Sequence, residues 1–235
     1  PNSSTAGISF VTLNAGSLKT NGWEAGVTIT PIKTKNGFWS TTFNFTQFKS
    51  IVEELAPGVQ NVFLGGFTTP NVRLVVGDEY GQLYGNQYKR DANGTLLLNA
   101  NGFPQPTANV GKIGNPNPDW TLGVSNTISY KAISLGVLLD IRKGGDQYSR
   151  NLADLRRNGA VVETAEFNRF NEDGTVATPY KFEGIFEAGP NAGQVNGGDV
   201  EKRLTAEQYW GNAGKYIAAE GFIYDISWFR IREAS

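Results

Sequence analysis

From Asp119 to Arg142 the chain reads "DWTLGVSNTISYKAISLGVLLDIR", two alternating runs joined by Lys131-Ala132 alone. Successive side chains of a strand point to opposite faces, so each run describes an extended segment with one apolar and one polar side. A connection this short permits only an antiparallel hairpin. The same arrangement stands earlier, in "GWEAGVTITPI" (Gly22 to Ile32) and "FWSTTFNFTQFK" (Phe38 to Lys49). Between them lies "KTKNG", whose Asn36-Gly37 is a hairpin turn signal. A fifth run, "GFIYDISWFRIRE" (Gly221 to Glu233), lies near the end. Strands are therefore expected near 22–32, 38–49, 119–130, 133–142 and 221–233.

The rest of the chain is unlike these runs. Residues 50–118 and 143–220 are each about seventy to eighty residues long, far beyond ordinary loop lengths. Both are rich in Gly, Asn, Pro and Asp, yet they are not featureless. "GNQYKRDANGTLLLNANGFP" (Gly85 to Pro104) reads as a small hairpin through Asn93-Gly94. "NLADLRRNG" (Asn151 to Gly159) and "TAEQYW" (Thr205 to Trp210) read as short helices, the second with Thr205 as N-cap. No internal repeat of fixed period is visible.

Taken alternately, Trp23, Ala25, Val27 and Ile29 share one face with Trp39, Thr41, Phe43 and Phe45. In the second hairpin Trp120, Leu122, Val124, Asn126, Ile128 and Tyr130 share it with Ile133, Leu135, Val137, Leu139 and Ile141. Thr42, Ser125 and Ser129 stand on the opposite, polar face. Transmembrane barrels combine strands of about 9–11 residues, short periplasmic turns and long extracellular loops. Aromatic residues gather here at strand ends, Trp23 and Trp120 at one end, Trp39 and Tyr130 at the other, as in the girdles of such barrels. A half-buried sheet in water alternates in the same way. From periodicity alone both readings stand.

Composition removes other classes. Cys, His and Met are all absent, which excludes a disulfide framework, a Cys/His zinc site, a thiol nucleophile and a histidine base. The formal net charge of −1 and the lack of a basic run argue against nucleic acid. No apolar run approaches the roughly 20 residues of a transmembrane helix. Glycine is abundant at 29 residues, and aromatic residues make up 12%, which suits strands, turns and large loops.

Few groups suggest chemistry. "RDANGT" (Arg90 to Thr95) and "NEDGT" (Asn171 to Thr175) echo parts of calcium loops without the full spacing, and read first as turns. "KGGD" (Lys143 to Asp146) lacks what a phosphate loop requires and reads as a strand exit. Glu53-Glu54 on an extended segment point apart and make a poor acid–base pair. No catalytic residue, cofactor or metal site is expected. Tyr80, Tyr84, Tyr88, Tyr148, Tyr209, Trp210 and Tyr216 are the candidates for contact with a solute or partner, since flat rings bind at low entropic cost. Packing the loops together is the alternative use of these rings.

The segment "GKIGNPNPDWTLGVSNTISYKAISLGVLLDIRKGGDQYS" (Gly111 to Ser149) resembles the SusC/RagA family of TonB-dependent outer-membrane transporters, late in the barrel. "NAGSLKTNGWEAGVTITPIKTKNGFWSTTFNFTQFKSIVEEL" (Asn14 to Leu55), "VGDEYGQLYGNQYKRDANGTLLLNANGFP" (Val76 to Pro104) and "IYDISWFRIREAS" (Ile223 to Ser235) resemble neighbouring pieces of that family, in matching order.

The resemblance implies an all-β fold, an antiparallel transmembrane β-barrel segment with long extracellular loops over 50–118 and 143–220. It covers nearly the whole of 1–235 and implies part of a longer chain, without the plug domain or the closing strands. It also implies a multi-pass place in the Gram-negative outer membrane and import of an oligosaccharide or oligopeptide, not catalysis. A SusD-like surface lipoprotein, and the TonB complex acting through the missing N-terminal part, are the implied partners. On this reading Phe43, Val124, Leu135, Val137 and Leu139 face lipid. The turns Lys33 to Gly37 and Lys131-Ala132 face the periplasm. A soluble β-sandwich carbohydrate-binding module and a β-rich glycoside hydrolase domain are the alternatives.

Overall fold

The structure, a computed structural model, describes residues 16–165, 170–211, 214–215 and 217–235. Two long strands open it, β1 (Gly16–Lys33) and β2 (Gly37–Leu55). Five short ones follow: β3 (Asn61–Gly66), β4 (Asn71–Val75), β5 (Gln82–Gly85), β6 (Leu97–Leu98) and β7 (Gly111–Gly114). The second long hairpin is β8 (Trp120–Tyr130) and β9 (Ile133–Lys143). After β10 (Asp146–Tyr148) come helix α1 (Arg150–Arg157), β11 (Ile185–Phe186), helix α2 (Ala206–Trp210), β12 (Ile223–Asp225) and β13 (Trp228–Ala234).

The long strands form one open antiparallel sheet, the wall, in the order β1-β2-β8-β9-β13. Residues directly opposite one another share a face, so the register converts alternation along each strand into rows across the sheet. Val27, Phe43, Val124, Leu139 and Ile231 make one apolar row, and Ala25, Phe45, Leu122, Ile141 and Phe229 the next. The opposite face is mostly small and hydroxylic. Across it Thr28 bonds Thr42 at 2.9 Å, and Ser129 bonds Ser134 at 2.8 Å.

Two irregularities keep the faces consistent. β1 holds one extra residue between Ile29 and Ile32, so Ile32 rather than Pro31 lies opposite Trp39. Pro31 has no N–H, and a bulge is where a ladder bond can be lost. In β13 the register shifts between Ile231 and Glu233. Without it Glu233 would oppose Val137 on the apolar face; instead it opposes Leu138 on the polar one. On that side Arg230 and Arg232 both reach Asp140, at 3.0 and 3.4 Å.

Much of the apolar face is exposed: Val27 is 52% exposed, Leu135 46% and Ile231 63%, whereas Val124 at the centre is covered by its neighbours on the sheet. The buried core lies elsewhere, in the long connections, around Leu98, Phe182, Phe186, Leu204, Trp210 and Phe222. This distribution reverses that of a soluble sandwich, whose sheets bury their apolar faces against each other. Among the described residues no helix is long and apolar enough to cross a membrane.

The last run is not one strand over 221–233. Ile223–Asp225 pairs with β10 in the loop body, whereas Trp228–Ala234 pairs with β9 in the wall. Between them the Asp225 carboxylate accepts from the N–H of Ser227 at 2.6 Å and from its hydroxyl at 2.5 Å, an Asx-type turn that redirects the chain. β2 continues to Leu55, so residues 50–55 belong to the wall strand and not to a loop.

Candidate functional site

The two long connections fold against each other above one end of the wall. β3, β4, β5 and β7 form a four-stranded sheet, and β6 pairs in parallel with β11 from the other connection. Asn86 links the two. Its side-chain oxygen accepts from Thr69 Oγ1 at 2.9 Å and from the Ala219 N–H at 3.0 Å, while its Nδ2 donates to the Ile217 carbonyl at 3.1 Å. Arg90 adds an ion pair to Glu220 at 2.8 Å, and the Tyr88 hydroxyl donates to the Lys215 carbonyl.

The base of the first connection is held by charge. The Asp78 carboxylate accepts from Lys112 Nζ at 2.7 Å and from the Tyr84 hydroxyl. Burial pushes the Asp78 pKa up, but the Lys112 and Tyr84 hydrogen bonds outweigh it and hold it below the usual carboxylate range. Burial, and then the hydrogen bond to Asp78, push the Tyr84 hydroxyl well above its ordinary value.

The second connection is organised by aromatic packing. Helix α2 begins with a full capping box, Thr205 bonding the Gln208 N–H and Gln208 returning to the Thr205 N–H. The helix presents Tyr209 and Trp210 to the core. Tyr209 stacks on Tyr180 at 4.5 Å and on Phe182 at 4.6 Å. Lys215 Nζ lies 4.7 Å above the Trp210 ring, and burial first, then Arg156, lowers its pKa.

The seven aromatic candidates thus separate. Trp210, 7% exposed, packs the loop core, as do Tyr209 and Tyr148, the latter edge-on to Phe222 at 6.1 Å. Tyr84 and Tyr88 are half-buried, with their hydroxyls engaged within the loop body. Tyr80, 43% exposed, presents its ring to solvent. Tyr216 lies outside the described residues. These placements favour the packing use for most of the set. Sequence alone gave no signal for Asn86, because its partners in the second connection, Ile217 and Ala219, lie more than a hundred residues away.

Between α1 and α2 opens a cleft of about 640 Å³, lined by Phe103, Arg150, Asp154, Asn158, Glu207 and Gln208 among others. Ser149 caps α1 by accepting from the Leu152 N–H, and Arg150 holds Asp154 through Nε at 2.9 Å. Planar donors and acceptors beside one ring can bond hydroxyls or amides of a polar solute.

The calcium-like stretches are turns. Asp91 Oδ1 accepts from the N–H groups of Asn93 and Thr95, at 2.9 and 2.8 Å, and Asn99 does the same for Asn101 and Phe103, at 2.9 and 3.1 Å. Gly94, Gly102 and Gly174 take φ of +84°, +84° and +80°, which only glycine adopts readily. The backbone turn is the same in all three, the glycine N–H donating to the carbonyls of Asp91, Asn99 and Asn171, but in the third it is the Asp173 carboxylate that accepts from the Thr175 N–H. Among the described residues no group of three or more acidic residues gathers to hold a metal ion.

An open antiparallel wall with a largely uncovered apolar face and a cored body of long connections at one end defines a class, the sector of a large β-barrel. The comparisons agree. No protein-family model matches the chain. The chain is 27% identical over 185 residues to TonB-dependent receptor P3 of Formosa agariphila, covering 68% of this chain and 18% of that protein. It is 25% identical over 190 residues to TonB-dependent receptor P26 of the same organism, covering 71% and 18%. It therefore spans about a fifth of the length of these curated relatives. In fold it matches the RagAB peptide transporter with a TM-score of 0.58 at 16% identity, over 100% of this chain and 24% of that one. The "open-open" state of the RagAB peptide importer matches with a TM-score of 0.54. The SusC/RagA-like resemblance read from the sequence is borne out, as is the antiparallel barrel fold.

Proposed function

We propose that the chain is part of a TonB-dependent importer in the Gram-negative outer membrane, not a catalyst. The observation that carries this reading is the row Val27, Phe43, Val124, Leu139 and Ile231, apolar across all five wall strands, with Val27, Phe43 and Ile231 exposed and no second layer of the described residues covering it. Soluble monomers rarely expose contiguous apolar surface beyond a few hundred Å², whereas a barrel covers such a face with lipid. The faces divide accordingly: Phe43, Val124, Leu135, Val137 and Leu139 meet lipid, and Thr42, Ser125 and Ser129 line the lumen. From Trp120 to Tyr130 the strand covers about 33 Å at ~3.3 Å per residue. Tilted by ~40°, that spans roughly the 25 Å apolar band of such barrels.

The loop body lies outside the cell and shapes the entry for an oligosaccharide or oligopeptide. A SusD-like lipoprotein covers it, and energy comes from TonB through parts of the protein beyond this chain. The relatives and the RagAB fold support this reading, as does the cleft between α1 and α2. Tyr80 is the ring best placed to touch solute or lid.

The test uses the full-length protein, tagged and extracted from its own outer membrane. A surface lipoprotein should copurify, and a deletion strain should lose energy-dependent uptake of at least one oligosaccharide or oligopeptide. Recovery of the protein from the soluble fraction, with uptake intact in the deletion strain, would leave the sandwich or hydrolase alternative.

A further inference from the structure

The turn end of the wall holds a groove on the apolar face, about 410 Å³ in volume. Ile32, Trp39, Ile128 and Tyr130 form its sides. Gly37 keeps it open: a Cβ there would stand 3.2 Å from Thr34 Oγ1, 3.7 Å from Ile32 and 4.0 Å from Tyr130, so a larger side chain crowds the turn as well as the groove.

Two turns meet beside the groove. The Lys131 N–H donates to the Asn36 carbonyl at 2.8 Å, which brings Lys33 and Lys35 of one turn beside Lys131 of the other. Lys131 Nζ lies 5.4 Å above the ring of Tyr130. All three lysines are exposed, and none forms an ion pair with a described residue. The surroundings offer no counter-charge. Along β1 and β2 no Asp or Glu occurs between Glu24 and Glu53, and along β8 and β9 none between Asp119 and Asp140.

An apolar slot edged only by cations suits an amphiphile with an acyl tail and an anionic head. We propose that the groove seats one acyl chain of an anionic phospholipid, whose phosphate the three lysines hold. The site rests on the membrane reading of the wall, which sets this end in the periplasmic leaflet, where the lipid is phospholipid. Juxtamembrane lysines attract anionic lipid and snorkel toward its headgroups. A polar peptide would leave its hydrogen-bonding groups unmet against these side chains.

The experiment is native mass spectrometry of the full-length protein in detergent, titrated with dioleoyl phosphatidylglycerol or dioleoyl phosphatidylcholine. Wild type should retain the anionic lipid at least about tenfold more tightly. The variant Lys33→Gln/Lys35→Gln/Lys131→Gln should lose that preference, by roughly fivefold for each lysine in full contact, with phosphatidylcholine retention unchanged. Gly37→Leu should weaken both lipids by filling the groove. Equal retention of the two lipids by wild type, or an unaltered preference in the triple variant, overturns the site. Lipopolysaccharide retained there in place of phospholipid also overturns it, by assigning the other leaflet. Failure of wild type to insert into lipid vesicles is a separate outcome, which removes the membrane reading itself.

Discussion

Thr41 donates its hydroxyl to Asn126 Oδ1 at 2.7 Å, from a position only 7% exposed in the middle of the apolar face. Trp39 Nε1 reaches the same oxygen at 3.4 Å. A carboxamide facing hydrocarbon must find its partners within the protein, and the register that sets Thr41 opposite Asn126 supplies one. Thr41→Val leaves the acceptor without its main donor and should cost about 1–2 kcal/mol of barrel stability. The double change Thr41→Val/Asn126→Leu should recover part of that loss, because of the three groups only the Trp39 N–H, the longer of the two bonds, remains. Unfolding titrations in lipid vesicles measure both, and a double variant as unstable as the single one would deny the pairing its role.

Charge on the two faces should be tolerated unequally. Leu139→Arg, in the central apolar row, should cost about 2–4 kcal/mol if lipid lies there, whereas Ser125→Arg on the hydroxyl face should cost far less. Equal costs would contradict a lipid-facing side.

Topology can be read with thiol labelling of single-Cys variants, since these 235 residues bring no Cys of their own. Asn93→Cys, at the tip of a turn in the first connection, should react with a membrane-impermeant maleimide on intact cells. Ala132→Cys, in the two-residue turn, should react only after the outer membrane is opened. The reverse pattern would invert the wall.

The aromatic residues of the connections should fall into two groups. Trp210→Ala removes a buried ring from the loop core and should destabilise the loop body by about 3–5 kcal/mol. Tyr80→Ala should leave that body intact and weaken association with lid or solute, by about 2 kcal/mol if the ring is an anchor. Hydrogen exchange reports the first effect and binding the second. A Tyr80 variant that imports and binds normally would leave the ring without a role.

Asp78 should make the first connection acid-sensitive. Its folded pKa is depressed, so its contribution is complete above the ordinary carboxylate value and is lost as pH falls through that value toward the folded one. Amide exchange in β4, β5 and β7 should quicken over that acid window in wild type. In Asp78→Asn the acid dependence should be flatter, and an unchanged acid profile would locate the sensitivity elsewhere.

Much of the wall is legible in the residues themselves. Period-two alternation, a two-residue connection and Asn36-Gly37 are local signals, each acting within a few positions, and they define two hairpins and the sides of their strands. Thr205 with Gln208 likewise marks the start of α2, because a capping box is complete within four residues. Long-range contacts decide the rest. The bulges that bring Ile32 onto the apolar face and take Glu233 off it depend on the partner strand, not on the strand that carries them. The division of the last run at Ser227 follows from β12 and β13 pairing into different sheets. Tyr209 and Trp210 read either as exposed contacts or as loop packing until Tyr180 and Phe182 are seen against them. Asn86 is one amide among many until Ile217 and Ala219 arrive from the other connection. Periodicity describes what a segment presents, and only packing between distant segments determines what meets it.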